Sequence, residues 1–430
     1  GWVEQQGTVH CMEPRWKQFA EGIGANRAVA ALSAARLGDA VGNSILFIVI
    51  PLYVARLPAP WLPFAEPVRA GLLLSLFGIA NLSLQPYFSV LSDRLNKRKV
   101  LIQAGLLIMA GATFAFVFAS RFIDLVVLRA LQGVGFAVTL PASMSLMAIV
   151  TTQKTRGASM GVYSTARMLG LSLGPLAGGF LYDRYGFDAA FYAGTGCILL
   201  AVLLVQLWIH EVSPEGMDPK REKRSVRFFD KTLLTPGIIG AGLATFALAN
   251  AFFMITPLER QFNERLHQTA FAFGIAFSSV MVSRFIFQIP AGKLSDRVGR
   301  KPVIIAGLIM MAPFTALLAA AGTTNQLVLY RLIQGIGSAG VAAPAFALAA
   351  DLATAGGQGR QMSVTTMGFS LGIALGPLLS GVLSSVFFGL PFLVGGLILI
   401  AVAWIIYRYV PETVPRQKTG AGRRSSGSRG

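Results

Sequence analysis

Charge is what this sequence has least of. Asp, Glu, Lys and Arg make up 13% of its 430 residues, about half the ~25% of an ordinary water-soluble domain. That excludes a large aqueous fold, because too little polar surface remains to cover the chain. Cysteine and histidine are nearly absent. Cys11 sits in the leading segment and Cys197 inside an apolar run, so neither a disulfide framework nor a cysteine metal site is available. His10, His210 and His267 all fall outside the apolar runs, which leaves no histidine metal cluster and no nucleophile–His–acid set within them. No Walker A motif occurs, which argues against ATP-driven pumping and, with the missing triad, against an enzyme. The surplus of Lys and Arg, a formal net charge of +18, forms no basic patch or recognition helix, so no nucleic-acid partner is expected.

Apolar residues are abundant instead: 54% of the chain, with a mean hydropathy of +0.62. They are gathered into stretches of ~20 residues, the length that crosses a ~30 Å hydrocarbon layer as a helix. The stretches fall at 32–54, 70–90, 100–119, 123–149, 158–181 and 189–209, and again at 235–257, 269–290, 302–321, 326–350, 362–386 and 388–408. In lipid they must be helical, since a backbone amide without a partner there costs several kcal/mol. The expected fold is an all-α membrane protein of about twelve transmembrane helices in two pseudo-symmetric six-helix bundles. Its divisions are a leading segment 1–31, a first bundle 32–209, a polar central loop 210–234, a second bundle 235–408 and a disordered basic tail 409–430. No cleavable signal pattern opens the sequence, and the first apolar run reads as a retained helix.

Basic residues set the orientation, because cytoplasmic loops retain Lys and Arg. If the leading segment is cytoplasmic, that side carries about 26 Lys and Arg and the other about six. Both termini are therefore expected in the cytoplasm, in a plasma membrane such as a prokaryotic inner membrane.

The two halves repeat each other. Ser92-Asp93-Arg94 recurs as Ser295-Asp296-Arg297, 203 residues on. Arg129, Gln132, Gly133 and Gly135 recur as Arg331, Gln334, Gly335 and Gly337, and Leu173-Gly174-Pro175-Leu176 as Leu375-Gly376-Pro377-Leu378, both 202 residues on. With six spans in each half, the copies share one orientation, and the pathway is expected between them.

On these motifs the chain resembles the major facilitator superfamily and, within it, the twelve-helix drug:proton antiporters. The loop after the second span resembles that family's first signature. It is complete in the second half at Gly292, Asp296, Arg297, Gly299, Arg300 and Lys301. In the first half Ser89 and Asn96 replace the glycines, beside Asp93, Arg94, Lys97 and Arg98. Serine still permits close helix contact and asparagine tolerates a left-handed turn. A gating role is expected: a carboxylate at a helix end can pair with guanidinium groups or with a helix N-terminus. The alternative is that the basic residues only fix topology.

The resemblance also assigns an antiporter motif to the fifth span, Gly170, Gly174, Pro175, Gly178 and Gly179, with a weaker copy at Gly372, Gly376, Pro377, Ser380 and Gly381. Small residues four apart let helices approach closely and proline bends them. Arg129 and Arg331 lie inside spans, where a cation is costly and by default functional, unless it snorkels to the headgroups. The context of Arg129 resembles the family's proton-transfer motif. Gln132 and Gln334 lie one turn further on the same face. Asp39, also assigned to proton coupling, leaves two readings open: an ion pair with Arg36 one turn earlier, or a buried carboxylate that exchanges protons. The cavity is expected to draw on Asn43, Phe47, Gln132, Arg167, Asn250, Phe253, Met254, Arg331 and Gln334, a mixture of amides, soft apolar groups and cations suited to amphipathic ligands. Because Arg129, Arg167, Arg284 and Arg331 make the intramembrane charge mainly positive, neutral or anionic substrates fit better than cations.

Together these features imply a monomeric, proton-driven exporter of small amphipathic or hydrophobic molecules that works by alternating access. It needs no cofactor or metal beyond the proton gradient, and its partners are a small-molecule substrate, protons and the lipid bilayer. A sugar- or metabolite-specific permease is the alternative within transport. A receptor or scaffold that kept the fold is the alternative outside it.

Overall fold

The structure is a computed structural model. It describes residues 27–57, 63–95, 97–151, 155–209, 235–352 and 358–413; the central loop 210–234 and most of the leading and trailing segments lie outside the described residues. Twelve long helices follow one another: α1 (Arg27–Val54), α2 (Glu66–Leu95), α3 (Arg98–Ala115), α4 (Phe122–Val150), α5 (Arg156–Tyr185), α6 (Phe187–Trp208), α7 (Pro236–Phe253), α8 (Ala270–Val298), α9 (Arg300–Ala316), α10 (Thr324–Asp351), α11 (Gln358–Ser384) and α12 (Leu390–Tyr409). No strand occurs among the described residues. Eleven candidate spans are long and apolar enough to cross a membrane. The helix without a qualifying window is α5, whose glycines, serines and Arg167 dilute its apolar content. Large apolar side chains such as Leu200 and Leu203 of α6 and Leu397, Ile400 and Trp404 of α12 face outward, as suits a lipid-facing surface but not an aqueous one. The chain is a multi-pass membrane protein.

The helices outrun the apolar windows, α1 beginning at Arg27 and α2 running from Glu66 to Leu95. One stretch departs more clearly from expectation. The run 235–257 is not a single helix: α7 stops at Phe253, a 3-10 turn holds Thr256–Leu258 around Pro257, and a short helix Glu259–Leu266 follows. Proline can begin such a turn but cannot donate to a continuing helix. Helix starts use local caps. Thr235 and Thr269 accept from the amides of Ile238 at 3.4 Å and Ala272 at 3.3 Å, and Asp124 accepts from Ser120 and Arg121 at 3.0 and 2.9 Å. Gly299 joins α8 to α9 at φ 118, a conformation that only glycine adopts without strain.

Within the first half, α1 packs on α5 and α6, α4 on α2 and α3, and α3 on α6. The second half repeats the pattern, with α7 on α11 and α12, α10 on α8 and α9, and α9 on α12. The halves meet along two related seams, α2 with α11 and α5 with α8. Apolar packing divides the molecule by depth. One cluster draws on both halves, combining Phe47, Leu73 and Phe191 with Phe253, Phe277 and Phe392. Two others stay within one half each, around Leu106 and Ile198 and around Leu308 and Leu399. The shared cluster lies toward the face carrying the starts of α2 and α8. The separate ones lie toward the face carrying the starts of α1 and α7 and the basic loops. The halves are therefore fused on one face and parted on the other, here called the basic face.

Candidate functional site: the cleft between the two halves

At the depth where the shared cluster ends, a narrow cleft opens between the halves. The first half lines it with Arg36, Asp39, Ala40, Asn43 and Phe47 of α1, Phe77, Gly78 and Asn81 of α2, Phe136 and Leu140 of α4, and Arg167 and Leu171 of α5. The second half contributes Phe253 of α7 and Thr366, Phe369, Ser370 and Ile373 of α11. Phe47, Phe252, Phe253 and Phe277 close its far end. The Phe47 ring meets Phe253 edge-on at 5.4 Å, and Phe277 lies 4.8 Å from Phe252.

Asp39 and Arg36 are both buried in the wall and form a direct ion pair. The Arg36 guanidinium also lies over the Phe136 and Tyr163 rings, 4.9 and 5.8 Å from their centroids. Asp39 Oδ1 has no hydrogen-bond partner, nor have the amide oxygens of Asn43 and Asn81. Of the two readings the sequence left open for Asp39, the structure shows the ion pair, and the second carboxylate oxygen is left without a hydrogen bond in a residue that lines the cleft. Arg167 lines the same space and stacks over Phe369 of the opposing half at 5.3 Å. No acid bonds to it among the described residues, although Arg36, Asp39 and Arg284 lie within its electrostatic reach.

Of the residues expected in the cavity, Asn43, Phe47, Arg167 and Phe253 line this cleft and the others do not. Asn250 is held where α7 packs on Gly372 and Gly376, and Met254 packs on Gly395 of α12. Gln132 and Gln334 are buried inside their own halves. Arg129 donates to Gln132 at 2.7 Å, and Gln132 donates to the Thr113 hydroxyl at 2.8 Å. Arg331 donates to Gln334 at 3.0 Å, and Gln334 to Thr315 at 2.8 Å. Both arginines are completely inaccessible, so neither snorkels to the headgroups. Each instead backs an aromatic wall: Arg129 over Phe77 at 5.3 Å, Arg331 over Phe252 and Phe277 at 5.1 and 5.4 Å. The threonines were not singled out from the sequence, yet they share the 202-residue offset of the arginines and glutamines. That offset was the signal that could have found them.

The glycines of α5 pack against two partners. A Cβ on Gly170 would stand 2.5 Å from that of Ala40, one on Gly174 would overlap the Ser44 hydroxyl, and one on Gly178 would stand 2.9 Å from the Ile45 carbonyl. These three press α5 onto α1, and Ser44 donates to the Gly170 carbonyl at 3.1 Å. Gly179 faces the other half, where a Cβ would stand 2.5 Å from the Ala270 carbonyl, and the Pro175 carbonyl meets Gly274. On α11 Gly372 and Gly376 pack on α7, and Gly381 meets Pro67 of α2 across the other seam. The motif thus shapes both the half and the seam.

On the fused face the halves are joined by polar contacts as well. Arg260 bonds to Glu66 at 2.5 Å, Ser278 donates to the Ser172 carbonyl at 2.6 Å, and Asp183 accepts from the Ala270 and Phe271 amides at 3.3 and 2.8 Å. The last contact sets a carboxylate on the N-terminus of α8, where the helix dipole favours it. On the basic face the signature contacts seen among the described residues stay within one half. Arg300 pairs with Asp296 and with Asp351 at 3.1 Å, and donates to Ser295 at 2.9 Å. The carboxylate that reaches a helix N-terminus here is not Asp296 but Glu412, which accepts from the Arg300 and Lys301 amides at 3.0 and 3.1 Å. Arg94, Lys97 and Arg297 are exposed. Arg98 is buried and donates to Ser145 at 2.7 Å. The Asp93 side chain lies outside the described residues.

Two like bundles, two related seams and a central cleft define an architecture that the family model for the Major Facilitator Superfamily matches over residues 32–265 and 241–429. The chain belongs to the major facilitator superfamily. Among its facilitator relatives it is 27% identical to the multi-drug resistance efflux pump PmrA of Streptococcus pneumoniae over 346 residues, 78% of this chain and 84% of that one. It is likewise 27% identical to the multidrug resistance protein MdtG of Salmonella dublin over 350 residues, 80% and 85% of the two chains. In fold it is similar to a bacterial homologue of the human lysosomal transporter Spinster. The TM-score is 0.70 at 16% identity, covering 88% of this chain and 94% of that one. This facilitator is a membrane transporter for a small molecule, and the cleft is a space that both halves line.

Proposed function

We propose that this facilitator exports small amphipathic molecules, neutral or anionic, from the cytoplasm in exchange for protons. In this reading the basic face is cytoplasmic, as the asymmetry of Lys and Arg favours, and the membrane is the inner membrane of a bacterium. One chain suffices, because a single chain supplies every wall of the cleft. The halves rock about their two seams, so that the cleft meets one side at a time. The observation that carries the reading is the Arg36–Asp39 pair in the cleft wall. Substrate or proton can shift such a site only by binding its two states unequally. A carboxylate in an ion pair and a protonated carboxyl beside an unpaired guanidinium differ in charge where substrate would sit. The relatives named as efflux pumps support the outward direction, and Arg167, a cation without an acid bonded to it, supports the preference against cationic substrates.

The test uses purified protein in proteoliposomes with an internal pH dye and three aromatic probes of matched shape: a carboxylate, its methyl ester and a quaternary amine. An imposed pH gradient is expected to drive uphill movement of the carboxylate and the ester, with matching proton counterflow, and not of the amine. Arg167→Gln should lower carboxylate transport about tenfold, the value of one charge-assisted contact of ~1.4 kcal/mol, and leave the ester within about twofold. Movement unaffected by the gradient would remove proton exchange. Equal loss of carboxylate and ester would remove Arg167 as a charge reader.

A further inference from the structure

Another buried acid lies on the fused face, outside every sequence motif. Glu259 opens the short helix after α7, and its side chain is inaccessible between Leu258 and Phe262, both members of the shared apolar cluster. Neither carboxylate oxygen has a hydrogen-bond partner. The polar group that interacts with it is the Asn263 side chain one turn on, a neutral neighbour whose contact falls short of a well-aligned hydrogen bond. The other acids of this face differ: Glu66 is paired with Arg260, and Asp183 accepts two backbone amides.

The charged groups around Glu259 are committed elsewhere. Arg260 turns to Glu66 of α2 and to Glu264. Arg69 of α2 donates to the Leu57 carbonyl at 3.4 Å, Arg56 beyond α1 stacks over Phe187, and Arg265 stacks over Phe388. The Tyr53 hydroxyl of α1 donates to the Ala119 carbonyl, and His267 is exposed at the end of the short helix. The adjoining ends of α8 and α11 bring no charged side chain among the described residues. Asp183 of α5 reaches Glu259 by charge alone, and as an anion it opposes a second negative charge. An isolated carboxylate held in apolar packing is far less stable than the carboxylic acid.

We propose that Glu259 is a proton-binding site that controls closure of the fused face, holding a proton while the halves are joined there and returning it to the solvent on that side when they part. The route is short. Asn263 also lines a hollow of about 830 Å³ on this face, together with Arg56, Tyr182, Asp183, Arg260 and Gln268. Only an O–H bond forms or breaks, and the proton goes back to the water it came from. It is therefore distinct from a proton exchanged through Asp39 in the cleft. Protonation and closure assist each other by linkage, so acid on this side closes the face and alkali opens it. The inference rests on the alternating-access reading above, although not on the identity of the substrate.

The experiment uses the full chain in nanodiscs with Cys11 and Cys197 replaced by serine and spin labels at Ser120→Cys and Gly322→Cys, two positions at equivalent ends of the halves. In the unaltered background the distance between labels should move from a short to a long population as pH rises. The ratio should change by up to about tenfold per pH unit, as one linked proton dictates. Glu259→Gln and Glu259→Leu should both stay short across the range. Infrared difference spectra at neutral pH should show a protonated carboxyl band that Glu259→Gln removes. An unchanged pH response in both variants, or a band that survives Glu259→Gln, overturns the proposal. A face that opens with substrate but shows no pH response overturns it as well and leaves the transport reading standing. A face that opens under no pH and with no substrate overturns both.

Discussion

In the first half, Arg129, Gln132 and Thr113 form a buried chain of hydrogen bonds behind the cleft. In the second, Arg331, Gln334 and Thr315 repeat it bond for bond. The glycine contacts repeat too. Gly170 rests on Leu37 and Ala40, and Gly372 rests on Phe246 and Ala249, so α1 and α7 align with a spacing of 209 residues, 246 against 37. By that alignment Asp39 corresponds to Leu248 and Arg36 to Thr245. Leu248 belongs to the second half's own apolar cluster, and Thr245 bonds to the Thr365 carbonyl at 2.8 Å. The scaffold is duplicated, whereas the ion pair in the cleft wall is not. Duplication preserved what holds a bundle together, while the buried ion pair that lines the cleft belongs to the first half alone.

The sharpest way to break that comparison is to give the first half the residues of the second. Arg36→Thr with Asp39→Leu removes both charges together and is expected to yield a folded protein, because no uncompensated charge is left buried. Its pH-driven transport in proteoliposomes should be lost. Asp39→Asn alone should also abolish the response to the gradient, and it leaves Arg36 buried and unpaired at a cost of about 3–5 kcal/mol, visible as a lower melting temperature than that of the double variant. Normal gradient-driven transport by either protein would show that the ion pair is structural.

A second comparison sets Gly174→Leu beside Gly376→Leu. Each forces a side chain into a helix contact, costing about 1–3 kcal/mol by overpacking. Gly174 also meets the Ser44 hydroxyl and lies close to the seam with α8, so its variant should lose most turnover, while Gly376→Leu loses stability with a smaller loss of rate. Equal transport losses, measured as initial rates at matched protein amount, would mean that the α5 motif has no role beyond that of its α11 copy. The smallest effects are expected for Thr113→Val and Thr315→Val. Each removes the acceptor of a glutamine amide and should cost about 1–3 kcal/mol of stability, in near-equal measure for the two halves. Unequal thermal shifts would show that the two buried chains differ in function despite their matching geometry.

The helical character and the duplication were legible because they depend on local pattern and on spacing. Apolar windows predict spans, and the 202-residue offset that aligns Gly174 with Gly376 also aligns Thr113 with Thr315. The cavity was legible only in part. Asn43, Phe47, Arg167 and Phe253 line the cleft, but Gln132, Asn250 and Met254 turn into their own half. Helical periodicity places residues on a face without saying which neighbour that face meets. Glu412 and Glu259 were missed for a related reason: each follows the end of an apolar run, where sequence alone makes a charged residue look solvated.

Composition by itself determined the solvent of this protein and the number of times the chain can cross it, because backbone amides in hydrocarbon admit no alternative to the helix. Motif spacing determined that the bundles are copies in one orientation. Only the tertiary structure decided that the halves are fused on one face and parted on the other, that the Arg36–Asp39 pair is buried in the wall of the cleft, and that Glu259 is buried without a cation beside it. The pair itself is local, three residues apart on one helix, but its burial, like the other two features, depends on segments distant in the chain and on which side chains are withdrawn from water when the bundles meet.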